Sequence, residues 1–353
     1  MTHARESCEK SHVFSSAKEW HDFWLVGAME STQSHQKRHA RFHQPGLPYH
    51  VMSKTAGGAF LLTPKPGIRD LCAGVVGKAQ ENYPNTKLYA YAFMSNHIHL
   101  IISVESQDIS DFMAFIKREI SRRIGIKYNL KGPKWQSRYT STALPTPESQ
   151  EGCLRYILAQ SVKENLVSHP YHWPGLHCAK PLSTGKDLSG AWFNSTAYKK
   201  KKREEKRREN PQKIQKSDYY ERLTIKLSAL PHWETLSSEK QRARITQLIN
   251  DIVDEAKQNR IKTKTRIRGA KSVVRASIYQ RVTPPNPPWW QERRRQIIAW
   301  AKPTDRQTQD FLKIYHAFQR AFRLASDNLS KGIEAVFPCS SWMPTRYCSP
   351  HQD

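Results

Sequence analysis

The chain has 353 residues, with 57 Lys and Arg against 31 Asp and Glu, a formal net charge of +26. That length holds one or two domains, and a hydrophobic fraction of 38% lets at least part of it bury a core. The charge favours a polyanion, nucleic acid before an anionic membrane surface; no apolar run approaches the ~20 residues of a membrane helix and Met1–Glu19 has no apolar signal core, so the reading is a soluble intracellular protein.

Residues 1–44 read as a polar, His-rich arm, in which Trp20, Phe23, Trp24 and Leu25 suit a short docking helix. Residues 45–180 carry the clean periodicities of a compact domain. Tyr49 to Lys54 is a short strand after Pro-Gly-Leu-Pro. Ile68, Leu71, Cys72, Val75, Val76, Ala79 and Tyr83 recur at helical spacing and predict an amphipathic helix over 66–83. Leu88–Met94 and His97–Val104 are two strands joined at Ser95-Asn96. Ile109, Phe112, Met113, Ile116, Ile120 and Ile124 form the stripe of a second helix, with Asp108 or Ser110 as its cap. Arg138–Leu144 reads as a fourth strand, and 147–167 as a third helix. The order β-α-β-β-α-β is that of the α+β, ferredoxin-like split β-α-β arrangement with a helix appended.

Beyond it, 181–214 reads as a basic linker around the dense run from Tyr198 to Arg208, a charge run of the kind that serves as an interaction segment. Residues 215–353 read as a mainly helical, basic accessory region with little strand signal, suited to DNA binding; Pro284 to Trp290 interrupts it as an extended spacer. The six cysteines are scattered without a CxxC pair, which argues against a disulfide framework. Cys339, Cys348 and His351 fit no usual zinc-ligand spacing.

Two elements of the compact domain carry chemistry. In His97-Ile98-His99 the side chains of a strand alternate, so both imidazoles share one face and can converge on one cation; two histidines on a solvated sheet face satisfy the same spacing. On the third helix, Gln160 falls about 40° and Lys163 about 20° from Tyr156 at 100° per residue, while Leu154, Ile157, Leu158 and Val162 occupy the other half. That stripe offers a nucleophile, a neutral oxygen ligand and a cation, although a surface tyrosine needs no function. Lys134, Trp135 and Arg138, with Tyr139, mix cations and aromatics as single-strand binders do; Trp135 equally suits packing, and Lys163 equally suits a solvated helix lysine.

Tyr49-His50-Val51, Phe93-Met94-Ser95-Asn96-His97-Ile98-His99-Leu100-Ile101, Trp135-Gln136-Ser137-Arg138 and Tyr156-Ile157-Leu158-Ala159-Gln160-Ser161-Val162 occur in one order. In this the chain resembles the single-tyrosine HUH transposases, most closely the REP-associated tyrosine transposases of the IS200-like family, over about residues 45–175. Gln160-Ser161 stands where that family commonly has Asn-Pro. The resemblance implies Tyr156 as nucleophile and His97, His99 and Gln160 as ligands of Mg²⁺ or Mn²⁺; Lys134, Trp135, Arg138 and Lys163 remain the candidate DNA contacts read from the residues themselves. It implies a single-stranded DNA substrate with a hairpin, as at repeat-element ends, a 5′-phosphotyrosine intermediate with a free 3′-hydroxyl, no membrane partner, and a bacterial, cytoplasmic, nucleoid-associated protein compatible with a homodimer. Two other readings stay open: a domesticated, non-catalytic DNA- or RNA-binding protein, whose fold binds RNA when its sheet displays aromatics, and an HUH replication initiator or relaxase.

Overall fold

The computed structural model describes residues 40–105, 109–210, 212–281 and 298–338. The helix expected around Trp20–Leu25, the Pro284–Trp290 spacer, the Asp108 cap and the Cys339, Cys348 and His351 group lie outside the described residues.

The elements in chain order are β1 (Tyr49–Lys54), α1 (Ile68–Asn82), β2 (Thr86–Phe93), β3 (His97–Val104), α2 (Ile109–Tyr128), β4 (Thr140–Ala143) and α3 (Pro147–Lys163). They are followed by α4 (Ala179–Thr184), β5 (Leu188–Phe193), α5 (Ser195–Glu205), β6 (Tyr220–Ile225), α6 (Ser238–Thr263), α7 (Ala270–Arg275) and α8 (Arg306–Ser330). The first four strands form one antiparallel sheet in the order β2-β3-β1-β4, the ferredoxin-like arrangement. Its alternation creates two different faces. Val51, Ile98, Leu100 and Ile102, none of them measurably exposed, point to the side of α1 and α2. His97, His99 and Ile101 of β3 share the opposite face with Lys54, Met52 and His50, their cross-strand partners on β1. Helix α3 lies over β2 and β3.

Local chemistry sets the ends of α3. Thr146 and Ser149 form a reciprocal capping box and Pro147 opens the first turn. The helix stops at Lys163, short of the expected 167, because Asn165 turns left-handed (φ 53°) and the amides of Leu166 and Val167 fold back onto the Ser161 carbonyl. Ser110 is no cap: it lies inside α2 and its hydroxyl bonds to that of Tyr139. Arg138 precedes the pairing of β4, which begins with Thr140 opposite Met52.

Past residue 180 the described chain is mainly helical, as expected, but it also holds a two-stranded ribbon. The segment read as a linker holds α4, β5 and α5, and the charge run itself is helical from Ser195, with the Asn194 side chain accepting from the Ala197 amide. Strand β6, missed in the sequence, pairs with β5 from Leu188↔Ile225 to Phe193↔Tyr220. This ribbon lies against α1. A Cβ added at Gly74 would stand 2.1 Å from the Ala191 carbonyl oxygen, and one at Gly190 2.2 Å from the Gly74 nitrogen, so two glycines let a helix and a strand backbone touch.

The C-terminal part also returns to the first sheet. The Ala143 amide donates to the Ile298 carbonyl at 2.9 Å, and the Trp300 amide donates to the Ala143 carbonyl at 2.8 Å, a parallel bridge on the free edge of β4. Helix α8 places Phe311 and Phe318 on Phe42, with ring centroids 6.2 and 5.0 Å away. Among the described residues, no helix is long and apolar enough to cross a membrane.

Candidate active site

The sheet face that carries the two histidines is covered by α3, and Tyr156 and Gln160 come from the part of that helix that meets them. The His97 and His99 ring centroids are 4.8 Å apart, nearly perpendicular. The Tyr156 ring meets His99 edge-on at 5.5 Å and His50 at 5.9 Å. The Gln160 side chain, almost fully buried, hydrogen-bonds to the His97 imidazole and to the Tyr156 side chain, and its amide nitrogen donates to the Tyr156 carbonyl at 3.2 Å. The four residues His97, His99, Tyr156 and Gln160 thus come together. Lys163 stays exposed, its ammonium 5.3 Å from the Tyr156 ring centroid.

The stripe on α3 is not a solvated polar face. Trp300, arriving from the edge of β4, stands 5.5 Å from Tyr156 and 5.6 Å from His50, so Tyr156 is half-buried in a box of rings.

Burial controls the electrostatics. It holds His97 and His50 down at about 4, helped in His50 by the neighbouring His97, and lowers His99 well below the ordinary imidazole value. All three are neutral near pH 7, with lone pairs to offer. Burial also raises the Tyr156 phenol, against the opposing hydrogen bond from Gln160, so its ionisation needs positive charge nearby.

The side chains fit a divalent cation. Nε2 of His99 is a buried ring nitrogen without a hydrogen-bond partner. Nδ1–H of His97 donates to the Asn96 side-chain oxygen at 2.7 Å, so Nε2 is the ring atom that meets Gln160 and would face a metal held beside it. Among the described residues no three His, Cys, Asp or Glu side chains group as a metal site, so a cation here relies on the neutral Gln160 oxygen beside the imidazoles. Such a sparse, neutral set leaves coordination positions open for phosphate oxygens and water.

The residues expected to contact DNA divide. Lys134, Trp135 and Arg138 lie on the segment that runs beside Lys54 and Thr55, at the sheet end that carries His97. Lys134 is buried, and its ammonium is spent on the carbonyls of Lys131 and Gly132, at 3.1 and 2.6 Å, which closes the loop after α2. Trp135 is half-buried and its indole N–H donates to the Lys117 carbonyl at 2.9 Å. Arg138 is exposed. Beside it, Arg41 stacks 3.7 Å above the Tyr139 ring.

Sequence reasoning gave no role to His50 or Trp300. His50 had a signal, since β1 alternates with period two and pairs with β3. Trp300 had none, because its contacts span more than half the described fold.

Residues 45–160 match the model of the family described as Transposase IS200 like. No curated protein sequence matches the chain. Of solved structures, one described as the REP-associated tyrosine transposase bound to a REP hairpin is 19% identical, with 40% of this chain and 82% of that one covered and a TM-score of 0.35. A protein assigned as a transposase in Deinococcus radiodurans R1 is also 19% identical, with 34% and 95% covered and a TM-score of 0.26. The matched stretch, residues 45–160, contains the paired histidines, Tyr156 and Gln160, and over it the chain is similar to the IS200-like transposases.

Proposed function

We propose that the protein cuts and rejoins single-stranded DNA beside a hairpin, with Tyr156 as the nucleophile. The observation that carries this reading is the convergence of a half-buried tyrosine, two neutral histidines and one amide on a single face, with a buried, unpartnered imidazole nitrogen left over. The hairpin substrate comes from the sequence resemblance to REP-associated tyrosine transposases.

The phenol of Tyr156 gives up its proton as its oxygen attacks the scissile phosphorus, the new Oη–P bond forms as the P–O3′ bond breaks, and the 3′-oxygen takes up one proton and leaves as a hydroxyl, so that no proton is gained or lost overall. The DNA 5′ end stays on the tyrosine. A divalent cation held by His97, His99 and Gln160 would polarise the phosphate and offset the charge that builds on it. Gln160 also holds the tyrosine hydroxyl near that face. Because the ester conserves the bond energy, a second 3′-hydroxyl can attack the same phosphorus, release Tyr156 and join new ends without a nucleotide cofactor. A protein that only bound nucleic acid would need none of these four side chains grouped.

Tyr156→Phe removes one oxygen and almost no volume. It is expected to leave the fold and hairpin binding nearly unchanged and to abolish cutting. The wild type is expected to form an adduct that survives SDS and carries the 3′ fragment through its 5′ phosphate. Cutting by the Phe variant, or free 5′ ends without an adduct, overturns the tyrosine mechanism.

A further inference from the structure

His50 is the member of the ring cluster to which the proposed chemistry gives no task. It lies on β1, two positions before Met52, which pairs with His99. It is buried, hemmed by Tyr156 and Trp300. Its Nε2 stands 2.9 Å from Nδ1 of His99, while the ring centroids are 5.1 Å apart and the planes differ by 13°. Nitrogens that close, between centroids that far apart, must lie on the line joining the rings. The imidazoles are therefore edge to edge and nearly coplanar rather than piled face to face, the alignment in which a ring N–H points straight into a ring lone pair.

A neutral imidazole has one N–H and one lone pair, so this contact couples the tautomers. Either His99 donates from Nδ1 and keeps a lone pair on Nε2, or His50 donates and His99 must carry its hydrogen on Nε2. That second atom is buried without a hydrogen-bond partner. A buried N–H without an acceptor is the costlier outcome, and it also faces the candidate cation site with the wrong polarity.

We propose that His50 is a positioning residue: its Nε2 accepts the Nδ1–H of His99 and so holds His99 in the tautomer and orientation that present Nε2 to a divalent cation. This rests on the reading of His99 as a ligand. It is the role a carboxylate or backbone carbonyl usually plays behind a metal-bound histidine. A neutral acceptor does the same work without setting a negative charge beside a phosphate that is about to gain more.

The test uses the full-length chain. His50→Gln puts an amide oxygen near the place of Nε2 and can still accept; His50→Leu has similar bulk and cannot. Thermal unfolding confirms that both variants are folded. ¹⁵N-histidine NMR of the metal-free wild type is expected to show His99 with its proton on Nδ1. Mn²⁺ titration followed by EPR is expected to show affinity about 10- to 100-fold weaker in the Leu variant and within a few-fold of wild type in the Gln variant. A folded Leu variant that binds Mn²⁺ like wild type, or a wild type with the His99 proton on Nε2, overturns the inference alone. A wild type that binds no Mn²⁺, or binds it equally well as His97→Ala, overturns the ligand reading as well.

Discussion

The Trp300 ring meets the Tyr156 ring at 5.5 Å and 75°, so the residue that covers the candidate nucleophile comes from the far C-terminal part of the chain. Its backbone is fixed by pairing with Ala143 and its side chain is buried. Trp300→Ala is expected to lower stability by about 3 kcal/mol and to reduce adduct formation further than that loss explains, because Tyr156 is then free to leave the imidazole face. Trp300→Phe, which keeps an edge-on ring, should retain most of both. Chemical denaturation and the SDS-stable adduct, measured on the same preparations, check the pair; an Ala variant with normal adduct yield would reduce Trp300 to packing alone.

A second prediction compares two glycines inside helices. Replacing a helix-interior Gly by Ala normally gains up to about 1 kcal/mol. At Gly125 the nearest atom to an added Cβ is the Leu130 carbonyl at 3.4 Å, so Gly125→Ala should be neutral or mildly stabilising. At Gly74 the Cβ would lie 2.1 Å from the Ala191 carbonyl, a backbone atom that cannot swing away. Gly74→Ala should cost roughly 1–3 kcal/mol or more and loosen the β5–β6 ribbon, seen as faster amide exchange there. Similar unfolding midpoints for the two variants would contradict the close approach.

Acid should weaken the fold through histidines that are buried neutral. His177 is held at about 4 and His43 at about 3, each mainly by burial, with Arg41 adding to the effect at His43. An unfolded histidine titrates near 6.5. Below that value the unfolded chain takes up protons that the folded one refuses, so stability is full above about pH 6.5 and falls toward pH 4, by at most ~1.4 kcal/mol per pH unit for each such group. Urea midpoints at intervals from pH 7 to 4 should trace this slope. His177 accepts the Ala179 amide through Nδ1 at 3.1 Å; His177→Asn can keep that bond and should make the acid limb shallower. An unchanged limb would remove His177 from the account.

DNA affinity offers a fourth test. Deleting everything after residue 197 would be a poor one, because it removes β6, Trp300 and α8 along with the charge run. Lys199, Lys200, Lys202 and Arg203 are exposed on α5, so changing them to Gln leaves the packing intact. If they follow a DNA backbone, affinity should drop and the slope of log K against log salt should flatten by ~0.7 for each single-strand phosphate that is no longer neutralised. The same slope in the variant would assign α5 another task.

Two strands of the ferredoxin-like sheet were readable because β1 and β3 each set a His-bearing face against a mainly aliphatic one, and both were bounded correctly as Tyr49–Lys54 and His97–Val104. Tyr156 and Gln160 were legible as a pair one helical turn apart. The β5–β6 ribbon was not, since Tyr220, Arg222 and Thr224 are exposed on β6 and only Leu223 and Ile225 of that strand are buried, too few to stand out in a basic region. Lys134 was read from its neighbour: a lysine beside a tryptophan resembles a DNA contact, and nothing local says that its ammonium bonds the Lys131 and Gly132 carbonyls. The pairing of His50 with His99 depends on strand register, a tertiary quantity.

The edge contact between Ala143 and residues 298–300 has a consequence for synthesis. A growing chain acquires Tyr156 and both histidines early, and Trp300 only when most of the polypeptide has left the ribosome. Until then the β4 edge is bare and the phenol lacks its cover. A nascent or prematurely terminated product that stops before residue 298 therefore carries the candidate site residues without the wall that orders them.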